Sequence, residues 1–250
     1  MTFDVGIIMV FCEVMVTQIV LLKTLKTQSQ RVGGVSGGVG MKTEASCPGK
    51  VLIAGGYLVL DRKYSGLVVS SDDARVHVEL VLPDGLEQSS QRDTNTRIRI
   101  ESPQFVDAIW NYSLGISGWS DSVGPSVSIL AEGNSRNAYI ESTLRITLSV
   151  ISNLLKRSGR VFMPPRTMDI RINADNDFYS FPDCDRTELP RFAHTKSSLL
   201  NAHKTGLGSS AALITALVAV LFSSFLNDHD RELVHNTAQL CHCFVQGKVR

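Results

Sequence analysis

The feature that most constrains this chain is residues 204–222, KTGLGSSAALITALVAVLF, in which a glycine-rich turn runs directly into a long apolar segment. Gly206 and Gly208 allow a tight turn and a close approach to a ligand. Ser209 and Ser210 are good N-cap residues. The segment behind them is apolar nearly all round, which predicts a buried helix. Its N-terminal N–H groups and positive dipole end therefore predict an anion site, most often for phosphate.

The pattern alone fits a capped core helix with a glycine-rich entry equally well. No G-x-x-x-x-G-K-[ST] loop is present in the sequence. The dinucleotide fingerprint G-x-G-x-x-[GA] is matched by Gly206, Gly208 and Ala211, but the preceding SLLNAHK is a poor strand. The acidic residues about twenty positions later, Asp228 and Asp230, fall between two predicted helices instead of ending a strand. A dinucleotide-binding fold is therefore disfavoured.

Composition sets few further limits. The 250 residues carry a formal charge of +1, so no bulk positive field favours nucleic acid or a membrane surface as a partner. The five cysteines include no C-x-x-C pair, which disfavours a disulfide framework and predicts a reducing compartment, the cytoplasm. Cys241, His242 and Cys243 are too close together on a predicted helix to converge on one zinc ion.

The N-terminal part differs from the remainder of the chain. Residues 5–22 are strongly apolar, but Glu13 in their middle disfavours a membrane-spanning helix. Half of residues 31–40 are glycine, which predicts a flexible linker. We therefore expect residues 1–40 to be a dispensable extension and residues 41–250 to form the folded domain.

The remaining pattern predicts an α+β fold with a mixed sheet, because strands and helices are interleaved without the regular βαβ repeat of a parallel sheet. Hydrophobic periodicity predicts a strand–turn–strand unit over 43–60, strands at 74–82, 96–101 and 168–173, helices at 137–156, 209–226 and 231–247, and loops over 103–135 and 174–203. His77 alternates on one of these strands and is expected to be solvated or paired across strands.

Four segments together carry a family resemblance. KTGLGSSAA (204–212) resembles the second signature of the GHMP kinases, the small-molecule kinases named for galactokinase, homoserine kinase, mevalonate kinase and phosphomevalonate kinase. SCPGKVLIAGGYLVLD (46–61) resembles their first signature, with the GGYLVL ending of the phosphomevalonate branch. NDFYS (176–180) and HCFVQGK (242–248) resemble further stretches of that branch. The matches occur in the right order and extend over residues 45–250.

The resemblance implies the N-terminal, ATP-binding half of a GHMP kinase, with the nucleotide held under the glycine loop. The reaction implied is the ATP- and Mg²⁺-dependent phosphorylation of 5-phosphomevalonate to 5-diphosphomevalonate, in the mevalonate route to isoprenoids. Cytoplasm is the implied location, with the peroxisome as an alternative; neither nucleic acid nor a membrane is an expected partner. The acceptor is itself a phosphate, so the main task is to bring two polyanions together with lysines, N–H groups and Mg²⁺.

Matching the signatures residue by residue gives the expected site. The expected catalytic residues are Lys50 and Lys204. The expected ATP-phosphate residues are Gly206, Leu207, Gly208, Ser209, Ser210 and Ala211, with Ser210 also a ligand for Mg²⁺. The weaker substrate-binding candidates are Tyr57 and Gln246. The acidic run from Asp175 is expected near the acceptor pocket and lacks the glycine and glutamate of a calcium loop.

One departure from the family pattern concerns the end of the sequence. In the family, QGKV is followed by a glycine-serine turn, a functional aspartate and a C-terminal domain, whereas this sequence ends at Arg250. We therefore expect a front half whose apolar helices are covered on one side only. Two alternatives stay open: another GHMP kinase with an alcohol acceptor, such as a mevalonate kinase, and a non-catalytic nucleotide-binding fragment.

Overall fold

A computed structural model describes most of the chain as two layers, a sheet and a set of helices packed on it. The described residues are 8–10, 26–33, 39–61, 63–83, 95–117, 125–133, 135–182, 185–226 and 230–247. Along the strands, buried residues alternate with exposed ones, as in β5, Asn95–Glu101. One face of the sheet therefore carries the core and the other faces solvent.

The described strands form one mixed sheet. They are β1 Ile8–Val10, β2 Lys26–Gly33, β3 Val39–Ala54, β4 Gly66–Pro83, β5 Asn95–Glu101, β6 Ile109–Ser117, β7 Ser126–Glu132 and β8 Thr167–Ala174. Their order is β2-β3-β4-β8-β5-β6-β7, and β1 pairs with β4 beside this path. Among the described pairs, β5 and β8 run parallel and the others antiparallel. This arrangement confirms the predicted α+β class.

Three α-helices pack on the core face and on one another: α1 Ala138–Arg157, α2 Ser209–Phe225 and α3 Arg231–Val245. Two short 3-10 helices span Gly56–Leu60 and Asn176–Phe178. The positions of the three α-helices agree with the predicted helices, because the apolar stripes of these segments are local signals. The side chain of Asn137 accepts hydrogen bonds at the start of α1, and that of Asp230 does so at the start of α3.

Helix α2 is the centre of the core. Every side chain from Ile214 to Phe222 is fully buried between the sheet and the other two helices. The expectation that one side of this helix would be uncovered is therefore wrong. On α3, Leu240 and Phe244 are each 45% exposed, so the expectation of uncovered apolar side chains holds only for part of this helix.

Two segments differ from their predicted form. Residues 43–60 are not a strand–turn–strand unit, because β3 runs through the Pro48–Gly49 step and absorbs it as a register shift against β4. The predicted loop over 103–135 contains β6 and β7. There the buried residues Tyr112 and Leu114 alternate with polar ones that face solvent, and the polar residues obscured the strand period.

The glycine-rich stretch at 31–40 is also different where it is described. Residues 31–33 pair with residues 39–41 in an antiparallel ladder, so these residues are strand and not flexible linker. Residues 34–38 and most of the apolar segment 5–22 lie outside the described residues. That the first 40 residues are dispensable stays a prediction. No helix within the described ranges is both long and apolar enough to span a bilayer.

Candidate active site

The glycine loop ahead of α2 is in direct contact with β3. The backbone N–H of Lys50 donates a hydrogen bond of 2.8 Å to the carbonyl oxygen of Leu207. A Cβ at Gly49 would lie 3.0 Å from that oxygen and 3.0 Å from the ring of Phe178. The strand can approach the loop this closely because residue 49 has no side chain.

Two glycines give the loop its shape. Gly206 and Gly208 have φ angles of +87° and +70°, the left-handed region that glycine adopts without strain. The stem of Lys50 lies against Gly208, where an added Cβ would be 2.9 Å from Cε of the lysine. The first signature and the second signature therefore meet through these two residues.

The predicted serine cap of α2 is wrong, because Ser209 and Ser210 are the first two residues of the helix and no side chain caps it. Its N-cap residue is Gly208, which makes no side-chain hydrogen bond, whereas α1 and α3 have capping side chains. The N–H groups in the first turn of a helix have no partner within the helix. Ser209 and Ser210 of this first turn line a cavity, whereas the Ala211 N–H donates to the Gly208 carbonyl, and a helix N-terminus at a cavity is the arrangement that binds phosphate.

The cavity beside the loop has a volume of about 370 Å³. The loop with the adjoining lysine and serines forms one wall, and the other lining residues, which form the second wall, are largely aromatic and aliphatic. Its lining residues include Lys204, Gly206, Leu207, Gly208, Ser209 and Ser210 on the first wall and Phe105, Trp110, Asn137, Tyr139, Phe178, Tyr179 and Leu199 on the second. An apolar pocket with a few polar groups at one end is typical of small-molecule sites, and its lining contains no carboxylate.

Lys204 reaches this cavity because its backbone pairs with Tyr179 in an isolated antiparallel bridge. Tyr179 is 6% exposed, and burial raises the pKa of its phenol to about 12. The phenol is therefore neutral at physiological pH, and it adds no negative charge to the place where phosphates would bind.

The structure brings together most, but not all, of the predicted site. Lys204 and the residues from Gly206 to Ser210 line the cavity, and Lys50 packs on its loop. Ala211 is buried in the first turn of α2 and does not line it. Tyr57 is 88% exposed on the first 3-10 helix, and Gln246 is exposed with its Nε2 3.2 Å from His242 Nε2. These two residues are not part of the described cavity, so their roles stay predictions.

Sequence reasoning missed the aromatic wall. Phe105 and Trp110 lie in a region that was predicted as loop, and Asn137 and Tyr139 at the start of α1 were not singled out. The alternation of apolar residues in β6 was the available signal. This alternation could not show that β6 and the glycine loop line the same cavity, because the two segments are far apart in the sequence.

The acidic run divides between two places. Phe178 and Tyr179 line the cavity, whereas Asp175 lies in a separate charged hollow with Arg75 and Arg191. The Asp175 carboxylate accepts from the Arg75 backbone N–H at 2.9 Å and lies 3.2 Å from His77 Nε2. Burial opposes ionisation of Asp175, but these contacts and Arg191 outweigh it and hold its pKa below the usual value. His77 is thus paired across strands, one of its two expected states.

A metal centre formed by the protein alone has no support in the described ranges. They contain no group of three or more His, Cys, Asp or Glu residues arranged to hold a metal ion. Cys241 is fully buried in α3, and burial raises the pKa of its thiol to about 12. A protonated, buried thiol is a core group and a poor metal ligand.

Comparison with known proteins supports the resemblance carried by the signatures. No protein-family model matches the chain. It is 36% identical over 216 residues to phosphomevalonate kinase ERG8 of Gibberella zeae, which is 82% of this chain and 46% of that protein. It is 38% identical over 240 residues to phosphomevalonate kinase erg8 of Aspergillus fumigatus, covering 83% of this chain and 47% of that protein. The peroxisomal phosphomevalonate kinase of Arabidopsis thaliana is 28% identical over 245 residues, which cover 84% of this chain and 47% of that protein.

Among solved structures, the Lin0012 protein of Listeria innocua matches with a TM-score of 0.47 and 18% identity, over 82% of this chain and 43% of that one. A likeness at this level is too weak to assign a function. The curated relatives are much more similar, although the chain spans about half of their length. Over about four fifths of its own length, this chain is homologous to the phosphomevalonate kinases.

Proposed function

We propose that this chain provides the nucleotide- and phosphate-binding part of a phosphomevalonate kinase, which transfers the γ-phosphoryl group of ATP to 5-phosphomevalonate. The observation that carries the proposal is the contact of Lys50 with the glycine loop, through its N–H to Leu207 and its stem on Gly208. This contact joins the two segments that resemble kinase signatures into one site, and the chain's curated relatives are phosphomevalonate kinases.

The polar wall of the cavity suits the phosphates of ATP. The uncapped N-terminus of α2 supplies N–H groups, and Lys204 adds a positive charge at the entry to the loop. The stem of Lys50 lies against Gly208, so its ammonium group adds a second positive charge next to the loop. Phosphoryl transfer depends mainly on positioning and on stabilising negative charge, which are the two things that these groups provide.

The apolar wall suits the nucleoside. Tyr139 and Trp110 line this part of the cavity and offer aromatic surface to a planar base. The oxygen of the Asn137 side chain accepts from the N–H groups of Tyr139 and Ile140, so its amide NH₂ is the part that can donate to a base. A volume of about 370 Å³ falls in the range of small-molecule pockets.

Mg²⁺ would be held chiefly by the phosphates themselves. The cavity lining contains serine hydroxyls at Ser209 and Ser210 and no carboxylate. Mg²⁺ commonly keeps several waters and binds phosphate oxygens with few protein ligands, so a single hydroxyl such as that of Ser210 fits this role. When bound, the ion would neutralise charge between the phosphates, while the lysines and the helix N-terminus orient them.

The proposed cellular site is the cytoplasm or the peroxisome. A cytosolic location agrees with a sequence whose cysteines include no C-x-x-C pair, and the Arabidopsis relative carries the word peroxisomal in its name. Fractionation of cells that express the tagged chain would decide between the two compartments.

The proposal is tested by measuring ATP binding and acceptor-dependent ADP release separately. We expect the full chain to bind MgATP in calorimetry, and a Lys204→Met variant to bind at least tenfold more weakly because one charge-assisted contact is lost. Lys63→Met is the matched control, since Lys63 is exposed and does not line the cavity.

ADP release should be stimulated by 5-phosphomevalonate and not by mevalonate. Stimulation by mevalonate instead would assign the chain to a kinase with an alcohol acceptor. Binding of ATP with no release by either acceptor would support a nucleotide-binding fragment. Failure of the parent chain to bind ATP at millimolar concentration would reject the proposal.

A further inference from the structure

We propose that Thr205 is a positioning residue that fixes the glycine loop in the shape that binds phosphate. Thr205 stands between Lys204 and Gly206, both of which line the cavity, but does not line it itself. The inference rests on the proposed function, because it assigns a role within the same site. It concerns how the loop is held, and not which group contacts the nucleotide.

Thr205 makes two hydrogen bonds to the same short element. Its hydroxyl donates to the carbonyl of Asp177 at 2.6 Å, and its backbone N–H donates to the carbonyl of Phe178 at 3.1 Å. Both acceptors belong to the second 3-10 helix, Asn176–Phe178. A side-chain bond and a backbone bond from one residue fix the direction in which the chain enters the glycine loop.

The 3-10 helix is itself firmly held, so it can serve as a fixed support. The side chain of Asn176 donates to the carbonyl of Pro190 at 2.8 Å and accepts from the N–H of Ala193 at 2.9 Å. The side chain of Phe178 is 1% exposed and packs in the core. Motion of the support is therefore opposed both by core packing and by the long loop that follows it.

The glycine loop needs such anchors because glycine gives the backbone many accessible conformations. Gly206 and Gly208 both have positive φ, and the only residue between them is Leu207. The carbonyl of Leu207 is held from β3 by the N–H of Lys50. Thr205 provides a second anchor, to a different element, at the start of the loop. A loop held at both points loses less conformational entropy when it binds phosphate, so its affinity is higher.

Replacing a surface threonine that holds nothing in place would change neither loop mobility nor ligand affinity. Thr205 is exposed, so its removal leaves no buried unpaired group and should have little effect on overall stability. Its effect should appear instead in the mobility of the loop and in the affinity for phosphate-bearing ligands. This separation makes the inference testable.

The test compares three variants of the full chain by hydrogen exchange without nucleotide and by ATP calorimetry. Thr205→Val keeps the shape and removes the hydroxyl; we expect faster exchange in the peptide 204–211 and an ATP Kd about five- to tenfold higher, as for one lost hydrogen bond. Thr205→Ser restores the hydroxyl and should bring both values back to within about twofold of the parent. Thr187→Val removes an exposed hydroxyl that bonds Asp185, away from the cavity, and should change neither.

Equal loop exchange and equal ATP affinity in Thr205→Val and the parent would overturn the inference. A loss in Thr205→Val that Thr205→Ser does not restore would overturn it as well, because the hydroxyl would not be the cause. If the parent binds no ATP, the proposed function fails, whereas hydrogen exchange of 204–211 still decides whether Thr205 fixes the loop. The melting temperature of each variant checks that all are folded.

Discussion

The backbone N–H of Lys50 lies 2.8 Å from the carbonyl oxygen of Leu207 and donates a hydrogen bond to it. The two residues are far apart in the chain, and this bond joins the end of a bulged strand to the middle of a glycine loop. A change that displaces one of them should therefore move the other. The first two predictions follow from this contact.

Loss of the Lys50 charge should weaken nucleotide binding and the reaction more than it weakens the fold. Lys50→Met keeps an unbranched stem against Gly208 and removes the ammonium group. We expect the ATP Kd to rise about 10- to 100-fold and the rate of ADP release to fall about 10²- to 10³-fold. A melting temperature near that of the parent would show that the stem still packs. A rate within about threefold of the parent would reject a charge-stabilising role, since that corresponds to only about 0.7 kcal/mol.

Alanine at the two loop glycines should have unequal effects. Both positions have positive φ, so each substitution strains the backbone by about 1 kcal/mol. At Gly206 an added Cβ meets nothing within 4 Å, whereas at Gly208 it comes within 2.9 Å of Lys50 Cε. Gly208→Ala should therefore lower ATP affinity clearly more than Gly206→Ala.

Gly159→Ala serves as the control for this pair. Gly159 has φ +72° and no neighbour within 4 Å of an added Cβ, and it lies after α1, outside the cavity lining. Its alanine variant should be less stable in urea unfolding and should bind ATP as the parent does. Equal ATP affinities for all three alanine variants would contradict the contact between Lys50 and Gly208.

Asn137 should affect stability and binding through different atoms. Its side-chain oxygen accepts from the N–H groups of Tyr139 and Ile140 at 3.1 and 3.3 Å and caps α1. Asn137→Ala should lower the free energy of unfolding by about 0.5–2 kcal/mol. Asn137→Asp keeps a capping acceptor and should largely retain stability, but it adds a negative charge to the cavity lining and should lower ATP affinity. Parent-like affinity in the aspartate variant would place the nucleotide away from Asn137.

Acid should destabilise the protein partly through Asp175. Its folded pKa is lower than its unfolded value of about 4, so the ionised carboxylate stabilises the fold above that pH. This contribution is lost as the pH falls from about 4 through the folded pKa. Asp175→Asn removes the charge, so the difference in unfolding free energy between parent and variant should be large at pH 6 and shrink toward pH 2. A difference that does not depend on pH would show that the contacts of the carboxylate with His77 and Arg191 have no net stabilising effect.

Local features of the sequence were enough to predict the helices and the phosphate loop. Gly206 and Gly208 indicated a tight turn, the apolar stripe over 137–156 indicated a helix, and the uniformly apolar run after Ser210 indicated a buried helix. Each of these is a preference of a residue for its own backbone conformation or for burial, and such preferences act within one or two turns of chain.

Only the tertiary structure decided which surfaces meet at the loop. β6 and α1 bring Trp110 and Asn137 beside the glycine loop although neither is near it in sequence, and the two helices that cover α2 remove the apolar face expected to be exposed. Lys50 holds the loop through its bond to Leu207, and Thr205 holds it through its bond to Asp177. Such contacts depend on strand order and helix packing, which hydrophobic periodicity does not encode, because periodicity identifies the buried face of an element without identifying its partner.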